Sequence, residues 1–232
     1  MSYKRYWVAL AIVLVASFAV LGGVGRKMIS QAPPLPDVST TSGQLLFAGS
    51  SITDGQNVWQ SIGGQEIGTV WGHGAYVAPD WTADWLHRES LILLDLWAQR
   101  EGAANFAALD LDRQAALKAR LIREMRRNTY DPAPHRVVVS DDVATAFHQL
   151  EAHYADVFGA GRKAYAIPAG ALTNPAKQQQ MAEFFWWTAW AAHTDRPGSA
   201  VSYTNNWPHE PLVANQPPAS AVLWSVLSFV LL

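Results

Sequence analysis

Hydrophobic residues follow three regimes along this chain: an unbroken run near the start, a shorter one at the end, and periodic stripes between them. From Tyr6 to Gly25, YWVALAIVLVASFAVLGGVG carries no charge for twenty residues. As a helix it would extend roughly 30 Å, the thickness of one bilayer core. Lys4 and Arg5 precede it and Arg26 and Lys27 follow it. A cleaved signal peptide shares the positive start and apolar run, but no well-formed small-x-small cleavage site is obvious. The pattern therefore predicts a transmembrane helix over 6–25. Both flanks are basic, so charge barely discriminates its orientation. Ala219 to Leu232, ASAVLWSVLSFVLL, is apolar over fourteen residues and too short to span a membrane as it stands. It reads as the start of a second membrane helix, truncated at 232. A buried C-terminal helix is the competing reading.

Between these runs the pattern becomes helical and amphipathic. Residues 26–42 read as a linker, because QAPPLPDVSTTSG (31–43) is rich in Pro, Ser and Thr. The domain that follows is set at 43–215. A helix is predicted over 82–100, with Trp85, Leu86, Leu93, Leu96 and Trp97 on its apolar side. Another is predicted over 112–128, carrying Arg113, Lys118, Arg120, Arg123, Arg126 and Arg127. Such a run is a solvated face or a docking face for phospholipid or a partner. Asp131-Pro132-Ala133-Pro134 ends it, and a short strand is expected at 136–139. Ser140 or Asp141 can cap a third helix, in which Val143, Phe147, Leu150, Tyr154 and Val157 recur at spacings of three or four. Asn174-Pro175 supplies an N-cap followed by proline at the first helical position of a fourth. That helix runs through Phe184, Phe185, Trp186, Trp187 and Trp190. The domain is mostly α.

Composition removes several functions. The net charge of −2 and absence of a concentrated basic domain argue against nucleic acid as a partner. With no cysteine at all, the chain can form no disulfide, thiolate nucleophile, Cys-ligated metal site or thioether-linked haem. Eleven tryptophans in 232 residues point to interfaces, where an apolar body meets a polar edge.

The reactive residues form no recognisable constellation. His73, His87, His135, His148, His153, His193 and His209 are scattered, and His148 and His153 lie about 140° apart around a helix. No HExxH, GxSxG or phosphate-binding glycine loop is present. Yet GQEIGTVWGHGAYVAPDW, from Gly64 to Trp81, concentrates four glycines, two tryptophans, a histidine and a proline. It combines elaborate turn chemistry with no evident reactive atom.

The segment DGQNVWQSIGGQEIGTVWGHGAYVAPDWTADWLHRE, with SYTNNWPHEP at 202–211, resembles the amino-terminal region of quinol-dependent nitric oxide reductases. The resemblance covers nearly the whole chain. It implies a cytochrome-c-like extracytoplasmic domain, anchored by a transmembrane helix, attached to a catalytic membrane domain of the haem-copper oxidase superfamily. Residues 1–5 would then lie in the cytoplasm, and the domain outside the bacterial inner membrane. In cytochrome-c-dependent relatives, Gly-Ala-Tyr follows a Cys-x-x-Cys-His haem motif. Aligning that tripeptide on Gly74-Ala75-Tyr76 drops the motif onto Gly64-Gln65-Glu66-Ile67-Gly68. Both cysteines and the axial histidine are missing, so the resemblance implies a domain lacking haem c.

Large side chains must then fill the vacated volume, and Trp59, a buried Trp71, Trp81 and Trp85 are the candidates. The Gly-Ala-Tyr loop helps hold calcium in those relatives, which makes the main-chain oxygens of Gly74 and Tyr76 candidate ligands. Trp71, His73, Ala75 and Pro79 in the loop are expected to be structural. So are Tyr203, Asn205, Asn206, Trp207 and Pro208, which would seat the domain on the bilayer. The family reaction reduces two NO to N2O and water with electrons from quinol. Its haem b, haem b3 and non-haem iron belong to membrane helices outside these residues, so no cofactor and no catalysis are expected of this region alone. A rival reading of the same topology is the ectodomain of a two-helix membrane sensor or binding protein.

Overall fold

The computed structural model describes residues 3–231. Met1, Ser2 and Leu232 lie outside the described residues, and with them the outer ends of the predicted segments 1–5 and 219–232. The chain divides into two compact units, Met1–Pro34 and Leu35–Leu232. The first consists almost entirely of helix α1 (Lys4–Ser30), which has no buried residue and is long and apolar enough to cross a membrane. It outruns the predicted 6–25 at both ends, because Lys4, Arg5, Arg26 and Lys27 continue a helix readily.

The second unit is mostly helical, as the periodicity predicts. Its helices are α2 (Gly49–Ser61), α3 (Trp81–Arg100), α4 (Leu111–Arg126), α5 (Asp141–Gly159), α6 (Pro175–His193) and α7 (Ala219–Leu231). Side-chain oxygens cap four of them: Asp80 accepts from the Ala83 N–H, Asp110 from Arg113, Ser140 from Val143 and Asn174 from Lys177. The stripe Val143, Phe147, Leu150, Tyr154 and Val157 is buried on α5 as its spacing requires.

Helix α6 occupies the centre. Every residue from Met181 to His193 is buried, so it has no solvent face. Helices α2, α3 and α5 all pack against it. The crossing of α2 is close enough to require glycine: a Cβ on Gly55 would lie 1.9 Å from the Gln180 carbonyl oxygen and 2.8 Å from Phe184 Cβ.

A small mixed sheet completes the unit. Strands β1 (Asp37–Thr40), β2 (Leu45–Phe47), β3 (Tyr130–Asp131) and β4 (Arg136–Val139) are ordered β2-β1-β4-β3. β1 and β4 are parallel, with Val38 opposite Val137, and the other two pairings are antiparallel. This sheet shortens the linker expected at 26–42. α1 continues to Ser30, and the chain joins the folded unit at β1, where Val38, Ser39 and Thr40 are buried. Polar Ser and Thr suit a strand whose partner lies about a hundred residues away, and composition alone cannot show that pairing.

Two of the ionisable groups buried in this core, Glu89 and His193, have opposite effects on stability. Burial pushes the Glu89 carboxyl up to about 8, against hydrogen bonds from the Trp85 and Trp186 indoles. Burial pushes His193 down to about 4, against its contact with the Met125 carbonyl. The signs oppose each other. Folded Glu89 keeps a proton that the unfolded chain releases above 4.5, so its contribution to stability is lost as pH rises towards 8. Folded His193 refuses a proton that the unfolded chain binds below 6.5, so stability falls as pH drops towards 4. Above pH 6.5 only the Glu89 effect remains of the two. Glu89→Gln, the neutral isostere, is therefore expected to gain on wild type by roughly 1 kcal/mol per pH unit between about pH 5 and 8. Urea unfolding of both proteins in the same detergent across that range measures the difference; parallel curves would show that Glu89 is ionised in the folded protein.

Candidate functional site

The Gly-rich stretch singled out in the sequence folds into a loop closed at its base. After α2, Gly64–Ile67 forms a single 3-10 turn, and the chain then circles back to start α3 at Trp81. Thr69 and Asp80 meet across the base: the Trp81 N–H donates to the Thr69 carbonyl at 2.8 Å, and the Thr69 N–H to the Pro79 carbonyl at 3.2 Å. The Asp80 carboxylate organises the interior. Its Oδ2 accepts from Thr69 Oγ1 and from the Gly72 N–H, both at 2.7 Å, while Oδ1 caps α3. Thr69 Oγ1 accepts in turn from the Gly74 N–H at 2.7 Å. Burial raises the Asp80 pKa, and the donors from Gly72, Thr69 and Ala83 oppose that rise. One carboxylate thus satisfies most of the polar demand of the loop.

Gly68 occupies the position that aligns with the missing axial histidine. Its φ is +122°, and a Cβ built there would lie 2.3 Å from Trp81 Nε1 and 2.6 Å from Cε2. The Trp81 indole therefore fills the space into which a side chain at 68 would project. That indole is fully buried, stacked on Phe185 at 5.6 Å and ringed by Tyr154, Phe158 and Tyr165. Its N–H finds no acceptor among the described residues, so packing outweighs hydrogen bonding here. Trp85 is also fully buried, stacked on Tyr154 at 5.3 Å with its N–H on Glu89. Trp59 packs on Phe184.

Trp71 differs from the buried filler expected of it. It is partly exposed at a φ of +55°, with its ring 5.4 Å from that of Trp187 and its Nε1–H donating to the Thr188 carbonyl at 2.9 Å. It latches the loop to α6 from outside the core. Sequence could not distinguish it from Trp81, because both are tryptophans beside turn residues.

The loop tip and the segment 202–211 meet at one contact, His73 against Trp207 at 5.6 Å. Tyr76 is fully exposed, Val77 and Trp207 are about half exposed, and Ala75 and Pro79 are partly buried. Behind this surface the second segment is firmly held. Tyr203 stacks on Trp190 and accepts a hydrogen bond from Asn128. Asn206 is buried, donating to the Pro208 carbonyl and accepting from Asn215, which reaches the Ala192 carbonyl. The Trp207–Pro208 peptide bond is cis. Asn205 is half-buried beside it. Glu210, which sequence reasoning passed over, is buried and takes Nδ1 of His87 at 2.8 Å, tying the segment to α3.

These residues do not fit a calcium site of their own. Asp80 is committed inward, and no group of three or more His, Asp or Glu side chains converges among the described residues. Gly74 and Tyr76 are left to offer main-chain oxygens only. Nor do they fit haem c, with no cysteine in the chain and Trp81 against Gly68.

The family model for the NorB cytochrome c-like domain of nitric oxide reductase matches residues 36–209, which include the sheet, the loop and most of the 202–211 segment. No curated protein matches the chain.

Two substitutions separate the core filler from the latch. Trp81→Ala is expected to cost about 3–5 kcal/mol, the range for a large aromatic removed from a core. Trp71→Ala should cost roughly 1–3 kcal/mol, because it removes a half-buried ring and one hydrogen bond. Denaturant midpoints of the two variants give the comparison, and a larger loss at Trp71 would contradict this ranking.

Proposed function

The chain belongs to the NorB family of nitric oxide reductases through its cytochrome c-like domain, and from that premise we propose that it is the haem-free structural region of a quinol-dependent member. In this reading the domain docks on the catalytic membrane domain of the same parent chain, at the bacterial inner membrane and on its extracytoplasmic side. Electrons pass from quinol directly to the membrane part, where haem b, haem b3 and a non-haem iron reduce two NO, with two electrons and two protons, to N2O and water. The cytochrome c-like region binds and positions; it transfers no electron.

The packing of Trp81 against Gly68 carries this reading. A haem-bearing domain needs an open slot beside its axial ligand, and here an indole fills that slot. The docking surface is drawn from exposed apolar groups of the loop tip and the 202–211 segment, Tyr76, Val77 and Trp207, beside His73. Tyr and Trp are favoured at such interfaces. Calcium enters only as an extension of the docking. Carbonyls of Gly74 and Tyr76 would complete a site whose carboxylates come from the catalytic domain, and no step depends on it.

Expression of the parent enzyme with haem supply and c-type maturation factors tests the reading. Its pyridine haemochrome spectrum should account for two haems per parent chain, haem b and haem b3. Tyr76→Ala with Trp207→Ala should lower the yield of assembled enzyme while leaving NO consumption per haem b3 within about twofold of wild type. A third haem per parent chain would overturn the haem-free assignment. A large loss of turnover in fully assembled, fully haem-loaded enzyme would show that the surface serves electron or substrate delivery.

A further inference from the structure

Away from the Gly-rich loop, a cleft of about 1120 Å³ opens between the C-terminal half of α4, strand β4 and α6. Its size is that of a site for a small organic ligand. Val137, Val139, Trp186 and Trp190 give it an apolar lining, whereas its other wall carries Arg120, Arg123, Arg126 and Arg127. Two of these cations are already engaged. Arg120 lies over the Trp97 ring at 3.9 Å and close to Asp142 and Glu124. Arg126 pairs with Asp195 and donates to the Ala214 and Ala200 carbonyls. Arg123 and Arg127 are exposed on the same wall and make no ion pair or hydrogen bond among the described residues.

Inside the cleft lies a buried acid. Glu89 lines it although only 1% exposed, and its hydrogen-bonding neighbours are the indoles of Trp85 and Trp186. Indole N–H groups donate and cannot accept, so neither Trp85 nor Trp186 gives the carboxylic acid form of Glu89 an acceptor for its O–H. A ligand oxygen inside the cleft would supply one. The paired guanidinium groups call for an anion, and planar forks favour phosphate or carboxylate. The apolar lining calls for a chain or ring between them.

We propose that this cleft binds an acyl glycerophosphate. Its phosphate sits on Arg123 and Arg127, its ester carbonyl accepts from Glu89, and its acyl chain covers Val137, Val139, Trp186 and Trp190. A bilayer phospholipid and a free lysophospholipid share this chemistry. The site is independent of the docking surface around Trp207, and its failure would leave the proposed function untouched.

The test uses the full chain in phosphatidylcholine nanodiscs, titrated below micelle formation with 1-decanoyl-glycerol-3-phosphate and followed by native mass spectrometry. Saturable binding of one molecule is expected. Replacing both Arg123→Ala and Arg127→Ala, which are surface changes that leave the core intact, should weaken it about tenfold or more, as loss of charge-assisted contacts does. Monodecanoylglycerol, which lacks the phosphate, should bind weakly and respond little to the arginine changes. Decyl phosphate, which lacks the carbonyl, should respond to the arginines but lose its sensitivity to Glu89→Leu. Displacement of the probe by phosphatidylglycerol in the discs assigns the source to the bilayer, and no displacement assigns it to free amphiphile. No saturable binding, or binding unchanged by the double arginine variant, overturns the proposal.

Discussion

From Met181 to His193 every residue of α6 is withdrawn from water, so this helix has no face to offer solvent and other elements must cover it on all sides. Much of the architecture follows from that demand. α2 approaches on a glycine, α3 and α5 bring Trp85, Phe147 and Tyr154, and Phe47 from β2 packs its ring on Trp186. Aromatic rings suit the task because each covers a large area at the expense of few rotatable bonds.

Polar groups that enter such a core must be satisfied locally or remain a standing cost. Asp80 meets the first condition, with three donors converging on its carboxylate from the loop and the first turn of α3. Asn206, Glu210 and Asn215 do the same where the chain crosses over α3 and α6. Trp81 Nε1 does not meet it, and neither do Trp59 Nε1, His153 Nε2, Glu183 Oε2 and Arg196 Nε among the described residues. Of these, Trp81 Nε1 lies at the slot beside Gly68.

Periodic elements were legible from the sequence because burial on one face leaves a period. The stripe of α5, the caps at Ser140 and Asn174, the strand at Arg136–Val139 and the long apolar helix all carry that signature. α2 and β1 do not. α2 contains Gly49 and Gly55 and several Ser, Thr, Asp and Asn residues, all poor helix formers, and packing on α6 overrides their propensity. β1 is polar at Ser39 and Thr40 and depends on β4, far along the chain. The same limit applies to the site. Its glycine and aromatic content stood out at once, but the separation of Trp81 as core from Trp71 as latch depends on contacts with α5 and α6. Glu89 and the α4 cleft gave no signal, because an acid within an amphipathic helix ordinarily faces water.

The loop around Asp80 explains how such a frame can persist without a reactive atom. Its closure uses backbone groups, one threonine and one aspartate, none of which depends on what lies beside Gly68. The aromatic filling behind it comes from α3, α5 and α6, whose packing is set by the core. Frame and filling share Trp81, whose backbone N–H closes the base of the loop while its indole fills the slot. The tip of the loop can keep Tyr76 and Val77 exposed beside Trp207 while the slot behind it is closed by an indole. An exposed tip and a filled slot are compatible here because different side chains form each of them.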